Sequence, residues 1–196
     1  MPASPRERLL TKASELFYQD GIHAVGVDRL VAEAGVTRAT FYRHFPSKDD
    51  LVAEYLRTAD HALRRLVDQA EATSPREAAV LAVLDLVGRR VSYAGFRGCE
   101  FINAAAEYPD PTHPVRVAVA DHRTWFRQRM EALSRAAGHA DPGYAASLLV
   151  LLHDGGLAAG GLDNPAEVRA TVCRAVRDLF STSSLTPPTV RHGDPR

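Results

Sequence analysis

Apolar residues along this chain recur at three- and four-residue steps, and no stretch shows the alternation of a half-buried strand. The first run places Leu9, Leu10, Ala13, Leu16 and Phe17 on one face, between Ser4-Pro5-Arg6-Glu7 and Gly21. Serine followed three residues later by glutamate is a capping box; proline suits the first helical position, and glycine suits the position past the last turn. The same logic predicts short helices over 28–34 (Val27, Leu30, Val31 and Ala34 apolar) and 38–44, the latter capped by Thr37. A longer helix is predicted from 48 to about 70, opened by Ser47-Lys48-Asp49-Asp50. Further helices are predicted over 75–93, 99–107, 114–137, 142–160 and 165–180. Their start signals are Ser74-Pro75-Arg76-Glu77, Asp141-Pro142 and Asn164-Pro165-Ala166-Glu167, and Asp110-Pro111 is read as opening a helix as well. From 181 to 196 the chain is rich in Ser, Thr and Pro and is expected to be a disordered tail. The pattern is that of an all-α protein.

The second and third helices carry the first functional signal. Two short helices joined by a tight, glycine-containing turn form a helix-turn-helix, whose second helix enters the DNA major groove. Gly35 and Val36 supply the turn, and Val36, Phe41 and Phe45 anchor the third helix to the core. Arg38, Ala39, Tyr42 and Arg43 are then left to project outward. Formal net charge is zero over the whole chain, which by itself does not point to nucleic acid. Between Gly35 and Lys48, however, there is no Asp or Glu, while Arg38, Arg43 and Lys48 are cationic. The basic surface is therefore local. Arg38, at the start of the third helix, is placed to reach base edges, where a bidentate guanine contact discriminates by about 1–3 kcal/mol. Thr37, Thr40, His44 and Lys48 suit phosphates, which set register and salt dependence.

The run Val31-Ala32-Glu33-Ala34-Gly35-Val36-Thr37-Arg38-Ala39-Thr40-Phe41-Tyr42-Arg43-His44-Phe45-Pro46-Ser47-Lys48-Asp49-Asp50-Leu51 resembles the signature of TetR-type transcriptional regulators. The resemblance implies that Tyr42, His44 and Lys48 touch the DNA backbone and that Arg38, Ala39 and Arg43 lie in or near the groove. It also implies a three-helix DNA-binding head over 1–46 and a ligand-binding and dimerisation bundle over 47–180. One departure stands at the start of the second helix, where the family often carries a hydroxyl and this chain has Gly26-Val27-Asp28. Asp28 would be repelled by phosphate and is not expected among the DNA contacts.

In the body, Leu148 to Leu152 are apolar in succession, so that helix must be covered on more than one side. With Gly156 and with Val168, Val172, Val176 and Leu179 of the last helix, Leu148, Leu149 and Leu152 are the expected homodimer interface, the alternative being a monomer with a well-covered core. A dimer with recognition helices about 34–36 Å apart would read a roughly palindromic operator. The expected small-molecule cavity draws on Phe96, Phe101, Asn103, Glu107, His122, Trp125, Phe126 and His153. Asn103 and Glu107 share a face at i, i+4, and His122 sits on an otherwise apolar stripe with Val119, Phe126, Met130 and Leu133. The plainer alternative makes His122, Phe101 and Phe126 ordinary core.

Composition narrows the function classes. Cys99 and Cys173 are the two cysteines and are far apart, which fits a reducing cytoplasm rather than a disulfide scaffold. No apolar run is long enough to span a bilayer, for which about 18 residues are needed, and no membrane partner is expected. No nucleophile elbow, phosphate loop, metal triad or dinucleotide fingerprint is present, so neither an enzyme nor a cofactor is expected. His113, His122, Glu107 and His153 lack metal-ligand spacing, and Cys99 has no flanking cation cluster to make it a thiol sensor. Two readings remain. The first is a DNA-binding regulator, in the repressor sense, released from double-stranded operator DNA by an unknown small-molecule effector. The second is a helical adaptor or ligand-binding protein that has lost specific DNA binding.

Overall fold

The structure, a computed structural model, describes residues 3–181, and at 76 and 77 the backbone alone. The expected tail lies outside the described residues except for Ser181, which ends the last helix. Among the described residues nine helices follow one another with no strand: α1 (Pro5–Asp20), α2 (Val27–Ala34), α3 (Arg38–His44), α4 (Lys48–Ala72), α5 (Arg76–Val91), α6 (Glu100–Glu107), α7 (Pro114–Ala136), α8 (Pro142–Ala159) and α9 (Pro165–Ser181). None is long and apolar enough to cross a membrane.

The capping chemistry explains where most of these helices begin. The Ser4 hydroxyl accepts from the Glu7 amide at 3.2 Å, while the Glu7 carboxylate accepts from the Ser4 amide at 2.7 Å. Ser47 and Asp50 repeat the box at α4, the shorter aspartate reaching the Ser47 amide at 2.9 Å. Two predicted starts differ. α5 begins at Arg76 with Pro75 in the capping position, one residue later than expected, and its cap has no side-chain hydrogen bond. Asp110 opens no helix: its carboxylate accepts from both the amide and the hydroxyl of Thr112 (2.8 Å each), closing a local turn. The α7 cap is His113 instead, whose Nδ1 accepts from the Val115 amide at 3.3 Å.

α1, α2 and α3 pack around Leu9, Ala13, Phe17, Leu30, Ala34 and Phe41, all nearly or fully buried. Phe41 and Phe45 belong to this core, as their spacing predicted. α4 is the spine. Its first turns bury Leu51, Val52, Tyr55 and Leu56, and the same apolar cluster continues through α5, α7 and α8 to Met130, Leu149 and Leu157. Each large side chain so buried is stabilised by about 1.5–3 kcal/mol relative to exposure.

The α5–α8–α9 layer changes the expected interface. Gly156 and Gly160 do allow close approach, but inside one chain. A Cβ at Gly160 would lie 2.2 Å from Val91 Cγ1, and one at Gly156 would lie 2.9 Å from Val87 Cγ1. Leu149, Gly156, Val168, Val172 and Val176, expected at the dimer interface, are buried within the protomer, Gly156 against Val87 of α5 and Val172 of α9. The apolar excess of α8 thus has two recipients. One face completes the protomer core; the other is open.

Candidate nucleic-acid interface and effector cavity

α2 ends at Gly35, whose left-handed backbone (φ 60°, ψ 45°) turns the chain toward α3. Arg8 of α1 fixes that turn from behind, donating to the carbonyls of Ala34 (3.0 Å) and Gly35 (3.3 Å). Thr37 caps α3 by accepting from the Thr40 amide at 3.1 Å, and the two threonine hydroxyls meet at 3.0 Å. Thr37, Arg38, Ala39, Tyr42 and Arg43 all stand exposed, while Thr40, His44 and Lys48 are half-buried. Tyr42 is 50% exposed although its ring meets Phe41 edge-on, so it is not core.

Three of these side chains are placed in ways the sequence did not reveal. The Arg38 guanidinium donates to Asp28 at 2.6 Å, an ion pair across the start of α2 and α3. The bond to Asp28 and its charge push the Arg38 pKa upward. Lys48 turns inward, donating to the Ile22 carbonyl at 2.6 Å over the Phe17 ring, and burial lowers its pKa. The Nε2 atom of His44 is buried with no partner among the described residues.

A second site lies in the body, a cavity of about 840 Å³ walled by α1, α4, α5, α6, α7 and α8. It gathers five of the expected residues, Phe96, Phe101, His122, Phe126 and His153. His122 is only 6% exposed. Its Nδ1 meets Asp60 at 2.7 Å, and its ring stacks on Phe101 at 3.6 Å with 2° between planes. Burial pulls the His122 pKa down against the opposing bond and charge of Asp60, which favours the neutral imidazole. Tyr55 is pushed upward by burial and then by Glu100. Cys99, also on the wall, is pushed up to about 11, mainly by burial. A thiol held protonated in this way is a poor nucleophile.

Asn103, Glu107 and Trp125 are not in this cavity, which corrects the expected lining. Asn103 and Glu107 do share a face of α6, but that face turns toward α1 and borders a smaller pocket of about 220 Å³ with Tyr18 and Arg97. Asn103 donates to the Arg97 carbonyl at 2.8 Å. Glu107 accepts from the amides of Ile22 (2.8 Å) and His23 (2.6 Å), beyond the end of α1. Trp125 lies under the Arg64 guanidinium at 4.4 Å instead. Sequence reading missed the α4 and α5 walls, notably Leu63, Leu66, Val83 and Leu86, and the Arg90–Glu100 ion pair. Their apolar spacing was visible, but nothing local distinguished a wall from core. Among the described residues no three His, Cys, Asp or Glu side chains converge as a metal site would require.

Residues 9–55 match the family model described as bacterial regulatory proteins, tetR family. The whole structure is similar to that of a TetR-family transcriptional regulator from Streptomyces coelicolor, with 46% identity and a TM-score of 0.88 over 92% of this chain and 96% of the other. The chain belongs to the TetR family. It is accordingly a DNA-binding transcriptional regulator rather than an enzyme. Over 46 residues it is 46% identical to the transcriptional activator FasR of Mycolicibacterium smegmatis, covering 24% of this chain and 21% of FasR. Over 56 residues it is 39% identical to the repressor KstR2 of the same organism, covering 29% of this chain and 27% of KstR2. The chain thus spans well under two thirds of the length of these curated relatives.

In this TetR-family chain, head and body are joined by polar bonds centred on α6. Before α6, the Tyr18 hydroxyl of α1 donates to the Gly98 carbonyl (3.1 Å) and accepts from the Arg97 amide (2.8 Å). At the end of α6, Glu107 holds the Ile22 and His23 amides of the head, while the Tyr108 hydroxyl fixes the same end to α4 by donating to Asp49 at 2.9 Å. Between these ties, Phe101 forms part of the cavity wall. On α8, Tyr144 (58% exposed) and Leu151 (63%) stand open beside half-buried Leu148 and exposed Gly155 and Ala158. Their steps of three and four residues make one apolar stripe along the outward side of the helix.

Proposed function

We propose that the protein is a homodimeric repressor that leaves a roughly palindromic operator when a small molecule occupies the α4–α8 cavity. The observation that carries this reading is the placement of α6. One short helix presents Phe101 to the cavity and ends at Glu107, which accepts two amides from the head. A ligand that displaces Phe101 favours a different position of α6 and hence of α3. It shifts operator affinity only by its differential affinity for the two arrangements. In this reading residues 1–46 are the DNA-binding head and 47–180 the sensing and dimerising body. Thr37, Arg38, Ala39, Thr40, Tyr42, Arg43, His44 and Lys48 form the DNA-facing set, with Arg38 leaving Asp28 for a base and Lys48 remaining close to the backbone. Two copies pair through the α8 stripe, with Leu148, Leu152 and Leu179 beside Tyr144 and Leu151.

The repressor sign follows KstR2, whereas FasR is an activator. The test is therefore binding to an operator selected from random duplex DNA, followed by transcription from that operator with and without effector. Equal operator affinity with the cavity filled and empty would remove the release mechanism. The Arg38–Asp28 pair favours a second reading, in which the head no longer binds DNA specifically. Affinity for the selected operator against random duplex DNA at one salt concentration separates the two, since a head without specific binding shows no difference.

A further inference from the structure

The cavity holds two histidines arranged in the same way. His122 on α7 has its Nδ1 2.7 Å from Asp60, whose other oxygen is held by Arg64 at 2.6 Å. His153 on α8 has its Nδ1 3.1 Å from Asp154, whose other oxygen is held by Arg123 at 2.6 Å. A carboxylate already paired with arginine is an acceptor, so the Nδ1–H of each ring points at it, and in a singly protonated ring the lone pair is then at Nε2. Neither Nε2 has a hydrogen-bond partner among the described residues. The two rings belong to one wall, with Phe126 lying 4.5 Å from His153 and 6.5 Å from His122. Phe101 and Phe126 lie within 9° of parallel to the His122 imidazole, which shapes the wall for a flat molecule. The two arginines of the cavity wall are already paired, Arg89 with Asp85 and Arg90 with Glu100. An anionic ligand would therefore find no free positive charge there, and a ligand with acceptors alone would leave both Nε2 atoms unmet.

We propose that the cavity recognises hydroxylated aromatic molecules, whose phenolic O–H donates to Nε2 of His122, with His153 as the second acceptor. This rests on the cavity being the effector site. A phenol supplies a flat apolar body for the parallel rings and a strong donor for the imidazole. Its methyl ether supplies the same body without the donor. A site built to hydrogen-bond a ligand hydroxyl rejects the analogue that lacks it, because a buried polar atom is left unpaired.

The test is calorimetric titration of the full chain with para-phenylphenol, para-methoxybiphenyl and biphenyl-para-carboxylate. The phenol is expected to bind at least about tenfold tighter than either other probe, a discrimination typical of a buried donor–acceptor pair. His122→Phe, which keeps the ring stack, is expected to weaken phenol binding to the level of the ether while leaving the ether unchanged. His122→Asn, which keeps the bond to Asp60 but lacks both Nε2 and the ring, is expected to abolish the preference for phenol over ether, so the result does not depend on one variant folding. Equal binding of phenol and ether, preference for the carboxylate, discrimination that survives both variants, or binding of none of the three would overturn the proposal. Operator affinity is measured separately with each probe bound. Discrimination without operator release would sink the effector reading alone, whereas release without discrimination would sink the ligand class alone.

Discussion

Arg38 and Asp28 show how a neighbour three-dimensionally close but ten residues away resets a side chain's role. Both are largely exposed, so the pair adds little stability. Its consequence is electrostatic: Asp28 cancels a positive charge at the start of the recognition helix. Asp28→Asn is expected to raise affinity for random duplex DNA and to steepen its salt dependence by up to about one unit of log K per log salt, measured by fluorescence anisotropy. Melting temperature should hardly move. His122 has a different pH signature. Its folded pKa lies below the ordinary 6.5, with burial outweighing Asp60, and His153 and Glu100 are the other charges acting on it. The unfolded chain then binds the proton more readily, so stability rises with pH across the window just below 6.5. Urea unfolding at successive pH values should show stability lost as pH falls through that window. His122→Phe should flatten the loss.

At the scale of elements, α6 ties the body to the head and the α5–α8 contact fixes the packing of the body. Glu107 accepts two head amides with one carboxylate, and each has its own oxygen. Glu107→Gln keeps one acceptor and turns the other into a donor facing an N–H. Ligand affinity should stay the same in this variant while the ligand-induced change in operator affinity shrinks, which paired calorimetry and anisotropy would show. The α5–α8 contact is tighter. Gly160 has no room for a Cβ beside the branched Val91 side chain, whose own Cβ lies 2.4 Å from that point. Gly160→Ala is expected to cost about 1–3 kcal/mol through overpacking, seen as a lower melting temperature.

For the molecule as a whole, the open stripe on α8 is the surface through which the proposed dimer pairs. Leu151 is 63% exposed and sits between Leu148 and Gly155 on the outward side. Leu151→Glu would place a charge in the centre of an apolar interface, where an unpaired charge is costly. Sedimentation should show monomers in place of dimers, with loss of operator binding but intact helicity. Loss of both properties together is expected because two heads must meet successive grooves.

Helix existence, order and most helix starts were legible in the sequence because caps, glycines and apolar periodicity act within a few residues. The helix-turn-helix was legible for the same reason: its turn, its cap and its local basic run all lie between Gly35 and Lys48. What tertiary structure alone decided was which side of each helix faces what. α8 is apolar nearly all round, so sequence could not separate Leu149, which is buried, and Gly156, which faces α5 and α9, from Leu151, which faces outward. Likewise α6 carries Phe101 and Glu107 two turns apart, one at the cavity and one at the head. Periodicity reports that a residue is buried or exposed on its own helix. The partner is chosen by how distant helices cross, and that depends on contacts between residues far apart in the chain.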